Sequence, residues 1–404
     1  MLATRSRWWI VFASGLGLVV GQGPILVFAT GVFLKPVSED LGFGRGEIST
    51  AIGISNVMTA ISAPFFGRTL DLWGVRRPLL ASIALFALAT AGMAMMAPSF
   101  TVLALLYGLA GLVSAGQSPT AYSKVIASYF DRDRGLAMGL ALAGVGVGTT
   151  LVPTLSNTLI NAFGWRIGYV GLGAAIMLVA FIPVFLLLPE PRTRTSATTT
   201  ALPGMSFAEA IRTWRYWALA IAFFLATTTI NGSLVHVVPL LTDRGVPIDT
   251  AVATMAGAGL ALIVGRVAAG YVMDRVFAPY VALAFLVGPM IGLAILGWDL
   301  QFVSPLVGTV MLGLGIGAEV DLLSFLITRY FGVRAFGALH GLMFSGVVLG
   351  NAAGAAALGW SFQLLGSYRP AFAVFEVLLV ITCVLFLTLG AYPYPASRRG
   401  VAEI

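Results

Sequence analysis

Long stretches of this chain contain no formal charge, and they constrain the fold more than any other feature. They include residues 8–34, 48–67, 78–123, 135–165, 167–189 and 276–298. A helix that crosses a bilayer needs about 20 predominantly apolar residues, so each stretch is long enough for at least one crossing. Membrane β-barrels instead show alternating segments of about ten residues. The chain is therefore predicted to be an all-α polytopic membrane protein.

The composition excludes soluble and disordered proteins. Of the 404 residues, 59% are hydrophobic and 10% are charged, whereas about 25% are charged in a soluble domain. So few charges cannot cover a water-exposed surface, and so much apolar surface drives burial rather than disorder. The net charge of +7 is not concentrated in a basic cluster on a polar domain, so the expected partner is the lipid bilayer and not nucleic acid.

Twelve transmembrane helices are predicted from the apolar runs. Their approximate spans are 8–34, 47–68, 78–97, 99–130, 135–161, 167–188, 214–241, 249–275, 278–298, 302–331, 335–362 and 370–392. A polar segment rich in threonine and arginine, residues 190–213, reads as a cytoplasmic linker. It divides the chain into an N-terminal six-helix bundle, 1–189, and a C-terminal six-helix bundle, 214–404.

The distribution of basic residues predicts the orientation. If the N-terminus is cytoplasmic, 16 lysines and arginines lie in cytoplasmic segments and five lie outside. The five outer residues are Lys35, Arg45, Arg166, Arg244 and Arg369. Because basic residues concentrate in cytoplasmic loops, both termini are predicted to be cytoplasmic.

The two halves of the sequence repeat each other. The equivalent segments are 67–71 and 270–274 at an offset of 203, Tyr129–Phe130 and Tyr330–Phe331 at 201, and the loops around Gly164 and Gly366 at 202. Six is an even number of crossings, so the repeats are parallel. Parallel repeats place a substrate site between the two halves, near the bilayer midplane.

Residues 67–77 resemble the signature of the major facilitator superfamily, Gly-x3-Asp-x2-Gly-x-Arg-Arg between helices 2 and 3. The matching residues are Gly67, Asp71, Gly74, Arg76 and Arg77, and a shorter second copy contains Gly270 and Asp274. The resemblance implies the major facilitator fold and a role for these residues, Asp274 included, in conformational gating. Anchoring of the topology by positive charge is the alternative.

Within that superfamily, the chain is most similar to bacterial relatives of the monocarboxylate and oxalate:formate transporters. The resemblance depends on residues 31–37, on Arg266, and on segments 319–323 and 329–332. It implies proton-coupled symport of a monocarboxylate such as lactate or pyruvate across a bacterial inner membrane. The chain departs from animal monocarboxylate transporters at Phe28 and Leu262, where they have a lysine and an aspartate. It also lacks the helix 11 lysine of the oxalate:formate exchanger.

Arg266 is the sharpest single feature, because it falls in the middle of a predicted helix. A charge at that depth costs about 2.5–3.5 kcal/mol on insertion scales, so the side chain should face a partner or an aqueous cavity. Its planar guanidinium fits a carboxylate with two parallel hydrogen bonds. We therefore predict that Arg266 anchors the substrate carboxylate. The alternative is a structural ion pair with Glu319 or Asp321.

Glu319 and Asp321 are the predicted proton-coupling residues. Glu319 lies 17 positions into its predicted helix, as Arg266 does in its own. Desolvation favours the protonated form of a buried carboxyl group, whereas a nearby arginine favours the carboxylate. An anion bound to Arg266 would weaken that second effect, so substrate and proton could bind together. From position alone, Glu319 is preferred.

Three further residues are predicted to contact substrate: Asn231, His236 and Gln117. Asn231 precedes Gly232, a pair that predicts a local irregularity in helix 7, and His236 could carry a proton. Gln117 occupies the repeat position of Glu319. The proline that follows it, Pro119, predicts a bend in helix 4.

Two other polar residues in the predicted helices are interpreted as structural. Lys124 is interpreted as snorkelling toward the interface, and Glu376 as a structural residue of helix 12. Glycines four residues apart in helices 5 and 11, such as Gly144 and Gly148, should let helices approach closely.

The motifs that the sequence contains and those it lacks limit the possible functions. No phosphate-binding Gly-Lys-Ser/Thr loop occurs, so transport is expected to be secondary and without a cofactor. The only candidates for enzyme chemistry are His236, His340 and Cys383, on separate helices, so no enzyme and no metal site is expected. Anion exchange and multidrug efflux remain the alternatives to symport, a receptor of transporter shape is a third, and a monomer is expected.

Overall fold

The computed structural model describes residues 7–43, 45–131, 133–188, 204–298 and 303–394. Most of the predicted linker 190–213 therefore lies outside the described residues. The helices are α1 (Trp8–Val19), α2 (Thr30–Leu41), α3 (Arg45–Trp73), α4 (Arg76–Gly92), α5 (Phe100–Ser114), α6 (Pro119–Tyr129), α7 (Arg134–Ile176), α8 (Ile182–Leu187), α9 (Phe207–Ile211), α10 (Trp214–Val235), α11 (Val237–Asp243), α12 (Ile248–Met273), α13 (Ala278–Trp298), α14 (Pro305–Tyr330), α15 (Phe336–Leu365) and α16 (Arg369–Thr388). The π-helical segment Gly23–Ala29 leads directly into α2, and Met177–Phe181 joins α7 to α8.

The described helices account for the twelve predicted crossings. Eleven helical segments are long and apolar enough to span a membrane, and one of them, Arg134–Leu187, has 54 residues. A straight helix of that length would measure about 80 Å, far more than the bilayer core of about 30 Å. Gly164 interrupts it with φ 83° and ψ 163°, a conformation that glycine adopts without steric cost. The segment therefore supplies two crossings.

The predicted bend in helix 4 is confirmed. α5 ends at Ser114, a single 3₁₀ turn covers Ala115–Gln117, and Ser118 is extended before α6 begins at Pro119. Proline has no N–H to donate into a preceding turn, so the chain restarts its helix there. The break gives Gln117 a position at the end of a turn rather than inside a continuous helix.

The predicted irregularity at Asn231 and Gly232 is wrong. α10 continues through both residues and ends at Val235, with His236 as its C-cap. Gly232 has a packing role instead, because a side chain there would overlap the backbone of Gly354 in α15. The small residue is needed for close helix contact and not for a change in backbone direction.

The chain forms two compact units. Unit 1 contains the described residues of 1–129, 140–203 and 333–345, and unit 2 contains those of 130–139, 204–332 and 346–404. α7 and α15 thus each contribute their first residues to one unit and the remainder to the other. In unit 1, the ring of Phe33 stacks on Tyr169 at 3.9 Å, and the Tyr169 hydroxyl lies 3.4 Å from that of Tyr107.

α14 is the most enclosed helix of unit 2, where it packs against α10, α12 and α13. Glycines make the contact with α12 close. A side chain at Gly313 or Gly317 would overlap backbone carbonyls of α12, and one at Gly265 would overlap α14. This tight packing buries the charged side chains that the two helices present to each other.

Candidate substrate and proton site

Arg266 lies in α12 and faces α14, where its side chain is 4% exposed. Its Nε is 3.9 Å from Oδ2 of Asp321, which is an ion-pair distance but too long for a hydrogen bond. Both residues belong to unit 2. The structure therefore selects Asp321, rather than Glu319, as the carboxylate in ion-pair contact with Arg266.

The side chain of Asp321 is completely buried, and few groups contact its carboxylate. Neither carboxylate oxygen accepts a hydrogen bond from any described residue, and its one ion pair within the described chain is with Arg266. A buried carboxylate without hydrogen bonds is expensive to maintain. Its ionised form therefore depends on the neighbouring guanidinium.

Glu319 has a different environment, although it is only two residues away. Two residues rotate about 200° around a helix, so Glu319 faces α10 while Asp321 faces α12. The Thr227 hydroxyl donates to Oε1 of Glu319, and Asn231 Nδ2 donates to Oε2 at 2.9 Å. Neutral donors from α10 therefore stabilise the Glu319 carboxylate.

An apolar cavity of about 20 Å³ adjoins Glu319. Its walls come from α10, α13, α14 and α16 and include Phe223, Ile230, Phe285 and Phe386. Glu319 is the only charged residue among them. Because the cavity is apolar, one side of the carboxyl group has no polar partner. The carboxylate therefore depends on its two hydrogen bonds.

His236 does not join this cluster. Its Nε2 lies 2.8 Å from the Ala355 carbonyl oxygen, and its ring centroid is 5.7 Å from that of Tyr368. These two contacts are thus with the second half of α15 and with the residue that precedes α16. They differ from the surroundings of Arg266 and Glu319.

Gln117 lies in unit 1 and is 1% exposed. Its Oε1 accepts a hydrogen bond of 2.7 Å from the Tyr122 hydroxyl. Its Nε2 has no hydrogen-bond acceptor among the described residues. A buried donor without an acceptor costs about 1–3 kcal/mol, so a ligand oxygen is a natural partner for this amide.

The signature aspartate Asp71 holds the start of α15. The backbone N–H groups of Gly337 and Ala338 donate to its two oxygens at 2.9 and 2.8 Å, and these residues share unit 1 with Asp71. A carboxylate is favourable at a helix N-terminus because the first N–H groups lack helical acceptors. Lys124 also pairs with Asp71 and is almost fully buried, so the snorkelling interpretation of Lys124 is wrong.

Asp274 repeats this arrangement in unit 2. The N–H groups of Gly135 and Leu136, at the start of α7, donate to its two oxygens at 2.8 and 2.9 Å. Burial raises the pKa of the Asp274 carboxyl, and the two backbone hydrogen bonds oppose that rise. The two aspartates therefore hold the first turns of equivalent helices in the two repeats.

The first turns of α7 lie along a single stripe of α12. A side chain at Gly270 would overlap the backbone of Gly135, and one at Gly139 would lie 2.7 Å from the carbonyl oxygen of Arg266. Arg266, Gly270 and Asp274 are four residues apart, so they share one helix face. The Asp274 cap and the Arg266 backbone are thus in contact with the same short segment of α7.

The remaining signature residues shape the turn between α3 and α4. Gly74 has φ 75°, a left-handed conformation that favours glycine. Arg76 Nη2 donates to the Phe185 carbonyl at the end of α8, at 2.7 Å, while Arg77 is exposed. A cation near unsatisfied C-terminal carbonyls is favourable.

Sequence reasoning missed Thr227 and a buried charge cluster. Thr227 precedes Asn231 by four residues, so helical spacing could have placed both on one face. The cluster joins Arg329 to Asp131 at 3.1 Å and Arg134 to Asp131 at 3.5 Å. Arg329 lies in the last turn of α14, Asp131 in the turn before α7 and Arg134 at the start of α7, so no local sequence pattern reveals the cluster.

The packing of Gly67 against α15 leads to a stability prediction. A side chain at Gly67 would overlap the carbonyl of Gly337, whereas Gly53 in the same helix has open space around it. We expect Gly67→Ala to destabilise the protein by about 1–3 kcal/mol through overpacking, measured as a lower Tm in detergent. Gly53→Ala is the matched control, because both substitutions raise the helix propensity of α3 by the same amount. Equal Tm values for the two variants would contradict the tight contact.

Comparison with known proteins now identifies the family. A sequence model described as the Major Facilitator Superfamily matches residues 8–344. The chain belongs to the major facilitator superfamily. Its resemblance to that family, noted from residues 67–77, is thereby confirmed.

Relatives within the superfamily carry organic anions. The oxalate:formate antiporter of Oxalobacter formigenes is 29% identical over 54% of this chain and 52% of its own. Monocarboxylate transporter 13 of Rattus norvegicus is 27% identical over 74% of this chain and 71% of its own. Among solved structures, the proton:xylose symporter XylE superposes with a TM-score of 0.74 at 11% identity, covering 96% of each chain. The XylE match concerns the fold alone.

These findings establish a general function. This superfamily member is a multi-pass membrane transporter of small molecules, and not an enzyme. Its relatives include monocarboxylate and oxalate:formate transporters. The twelve-helix fold agrees with that of solved transporters of the superfamily.

Proposed function

We propose that this protein is a secondary transporter that moves a small monocarboxylate, such as lactate or pyruvate, together with protons. Alternating access of two six-helix halves, 1–189 and 214–404, would carry the substrate across a bacterial inner membrane, with both termini in the cytoplasm. Asp71 and Asp274 would act in gating, because each holds the first turn of a helix by hydrogen bonds that a moving helix must break. Gly67, Gly74, Arg76 and Arg77 would act with Asp71 in this gating.

The observation that carries this proposal is the buried ion-pair contact between Arg266 and Asp321. The guanidinium is buried, yet its Nε stands 3.9 Å from the Asp321 carboxylate, so this ion pair is not closed by a hydrogen bond at Nε. A carboxylate substrate could add two parallel hydrogen bonds to the guanidinium. The substrate therefore competes with Asp321 for the same positive charge.

Asp321 is the stronger candidate for the proton site, although sequence position favours Glu319. Substrate at Arg266 would partly neutralise the only opposite charge that Asp321 meets in the described chain. Asp321 would then take a proton, because a buried carboxylate without hydrogen bonds or an opposite charge is unfavourable. Glu319 would keep Thr227 and Asn231 as donors throughout. Binding of anion and proton would thus be linked, as symport requires.

The other predicted residues receive different parts in this proposal. Gln117 offers its Nε2 as a hydrogen-bond donor to the substrate. Asn231 orients Glu319 rather than contacting substrate. His236 would act near the outer ends of α15 and α16 rather than beside Arg266.

Anion exchange is the second candidate function. It is favoured by the match to the oxalate:formate antiporter. An exchanger would show counterflow between internal and external anions and no effect of a protonophore on net transport. A symporter would accumulate substrate when the only driving force is a pH gradient.

Reconstituted protein provides the test. Uptake of labelled lactate, pyruvate, formate and oxalate into proteoliposomes is measured with and without an inward proton gradient. We expect a monocarboxylate to accumulate only with the gradient, and a protonophore to abolish the accumulation. Accumulation driven by an internal anion alone would support exchange, and transport of none of the four would contradict the substrate class.

A further inference from the structure

We propose that unit 2 contains a second anion site, separate from Arg266, that binds small carboxylates. The site is an open pocket of about 190 Å³, here called the Arg369 pocket. The lining residues that matter for its chemistry are Asp243, Arg244, Phe362, Ser367, Tyr368 and Arg369. This inference does not depend on the proposed transport mechanism, because it concerns binding at a different place in the unit.

Three helix ends create the pocket. α11 ends at Asp243, α15 ends at Leu365, and α16 begins at Arg369. Gly245, in the turn after α11, and Gly366, in the turn between α15 and α16, both have left-handed backbone conformations. The short, sharply turning connections leave space between the helix ends and direct polar side chains toward it.

The internal repeat supplies a reference for this pocket. Asp40 in unit 1 is equivalent to Asp243 at the same offset of 203 that relates Asp71 to Asp274. Trp165 Nε1 donates to Asp40 at 3.1 Å, and Arg166 Nη1 donates to it at 2.6 Å. In unit 1 the arginine of this turn is therefore neutralised by its own aspartate.

The equivalent turn in unit 2 is arranged differently. Tyr368 takes the place of Trp165 and its hydroxyl donates to Asp243 at 3.3 Å. Within the described chain, the Arg369 side chain makes no ion pair with Asp243 or with any other carboxylate. Asp243 is thus bound by a neutral hydroxyl group, and the guanidinium of Arg369 can bind an anionic ligand.

A second cation strengthens the difference between the repeats. Arg244 lines the pocket, whereas the equivalent position in unit 1 is Leu41. Among the lining residues, two thus carry a guanidinium group and one carries a carboxylate. Guanidinium groups favour planar carboxylates, because two N–H donors match two oxygens.

The walls favour an organic anion over an inorganic one. The ring of Phe362 stacks on Tyr368 with centroids 4.6 Å apart, so part of the lining is flat and apolar. The hydrocarbon part of a small carboxylate could pack there while its oxygens meet the arginines. Inorganic phosphate would gain only the electrostatic part of this binding.

Chemical footprinting tests the pocket without any transport. The purified protein is treated with phenylglyoxal, which modifies arginines, and modification at each site is followed by mass spectrometry. We expect L-lactate at ten times its Kd to slow modification of Arg244 and Arg369 about tenfold. Arg166 is the control, because it already forms an ion pair with Asp40. Lactate should not change its rate of modification.

Two further arms make the result decisive. In an Arg369→Gln variant, lactate should no longer protect Arg244. Phosphate at equal ionic strength should protect both pocket arginines far less than lactate does. The inference is overturned if lactate protects neither arginine, protects Arg166 equally, or protects no better than phosphate. None of these outcomes bears on Arg266, so this inference and the proposed function can fail separately.

Discussion

Replacement of Arg266 by alanine or lysine is expected to reduce carboxylate uptake to about 1% of wild type or less. Removal of one partner from a buried charged contact costs about 3–5 kcal/mol, which corresponds to a loss of at least about 100-fold. Lysine retains the charge but lacks the planar fork that would bind two oxygens. Uptake of labelled substrate into proteoliposomes measures the effect.

A control just beyond the end of the same helix separates loss of chemistry from loss of folding. Arg275 follows the end of α12, and its guanidinium lies 3.5 Å from the Tyr271 ring centroid. Arg275→Lys makes the same chemical change and should retain transport. The double variant Arg266→Ala with Asp321→Ala removes the unpaired carboxylate as well. If this double variant transports normally, or if Arg266→Lys does, Arg266 is not the substrate anchor.

The second large effect is expected from Asp321→Asn. The variant should lose accumulation driven by a pH gradient by about tenfold or more, because coupling between two sites is typically worth 1–3 kcal/mol. It should still exchange labelled for unlabelled substrate, since Arg266 is still present. Accumulation and counterflow are measured on the same proteoliposomes.

Glu319→Gln is the matched comparison, because it makes the same change two residues away. The hydrogen bond from Asn231 can still reach an amide oxygen, so accumulation should persist at a reduced rate. The reverse pattern, with Glu319→Gln uncoupled and Asp321→Asn coupled, would reassign the proton to Glu319. Loss of exchange in Asp321→Asn protein of normal Tm would contradict the mechanism.

Much of the fold could be predicted because the bilayer imposes simple limits on sequence. Charge-free runs of membrane length located the helices, and a proline located the break before Pro119. The interruption at Asn231 and Gly232 was predicted wrongly, because a glycine that permits close packing has the same appearance in sequence as one that permits a turn. Only the contact with Gly354 distinguishes the two.

Prediction of the candidate site was less complete. The depth of Arg266 in its helix marked it as a charge that needs a partner, but the choice between Glu319 and Asp321 depends on the rotation of α14 about its axis. α14 is apolar on nearly every side, so hydrophobic periodicity does not fix that rotation. Lys124 illustrates the same limit, since its partner Asp71 lies 53 positions away in sequence.

The stripe of α12 that bears Arg266, Gly270 and Asp274 has a mechanical consequence. Eight residues of helix measure about 12 Å, and along that length the backbone of α7 rests directly on α12 without intervening side chains. Where two backbones touch directly, no flexible side chains lie between them to absorb a movement of one helix against the other. Release of the Asp274 cap would therefore shift the backbone at Arg266. In the same way, binding of substrate at Arg266 would shift the start of α7.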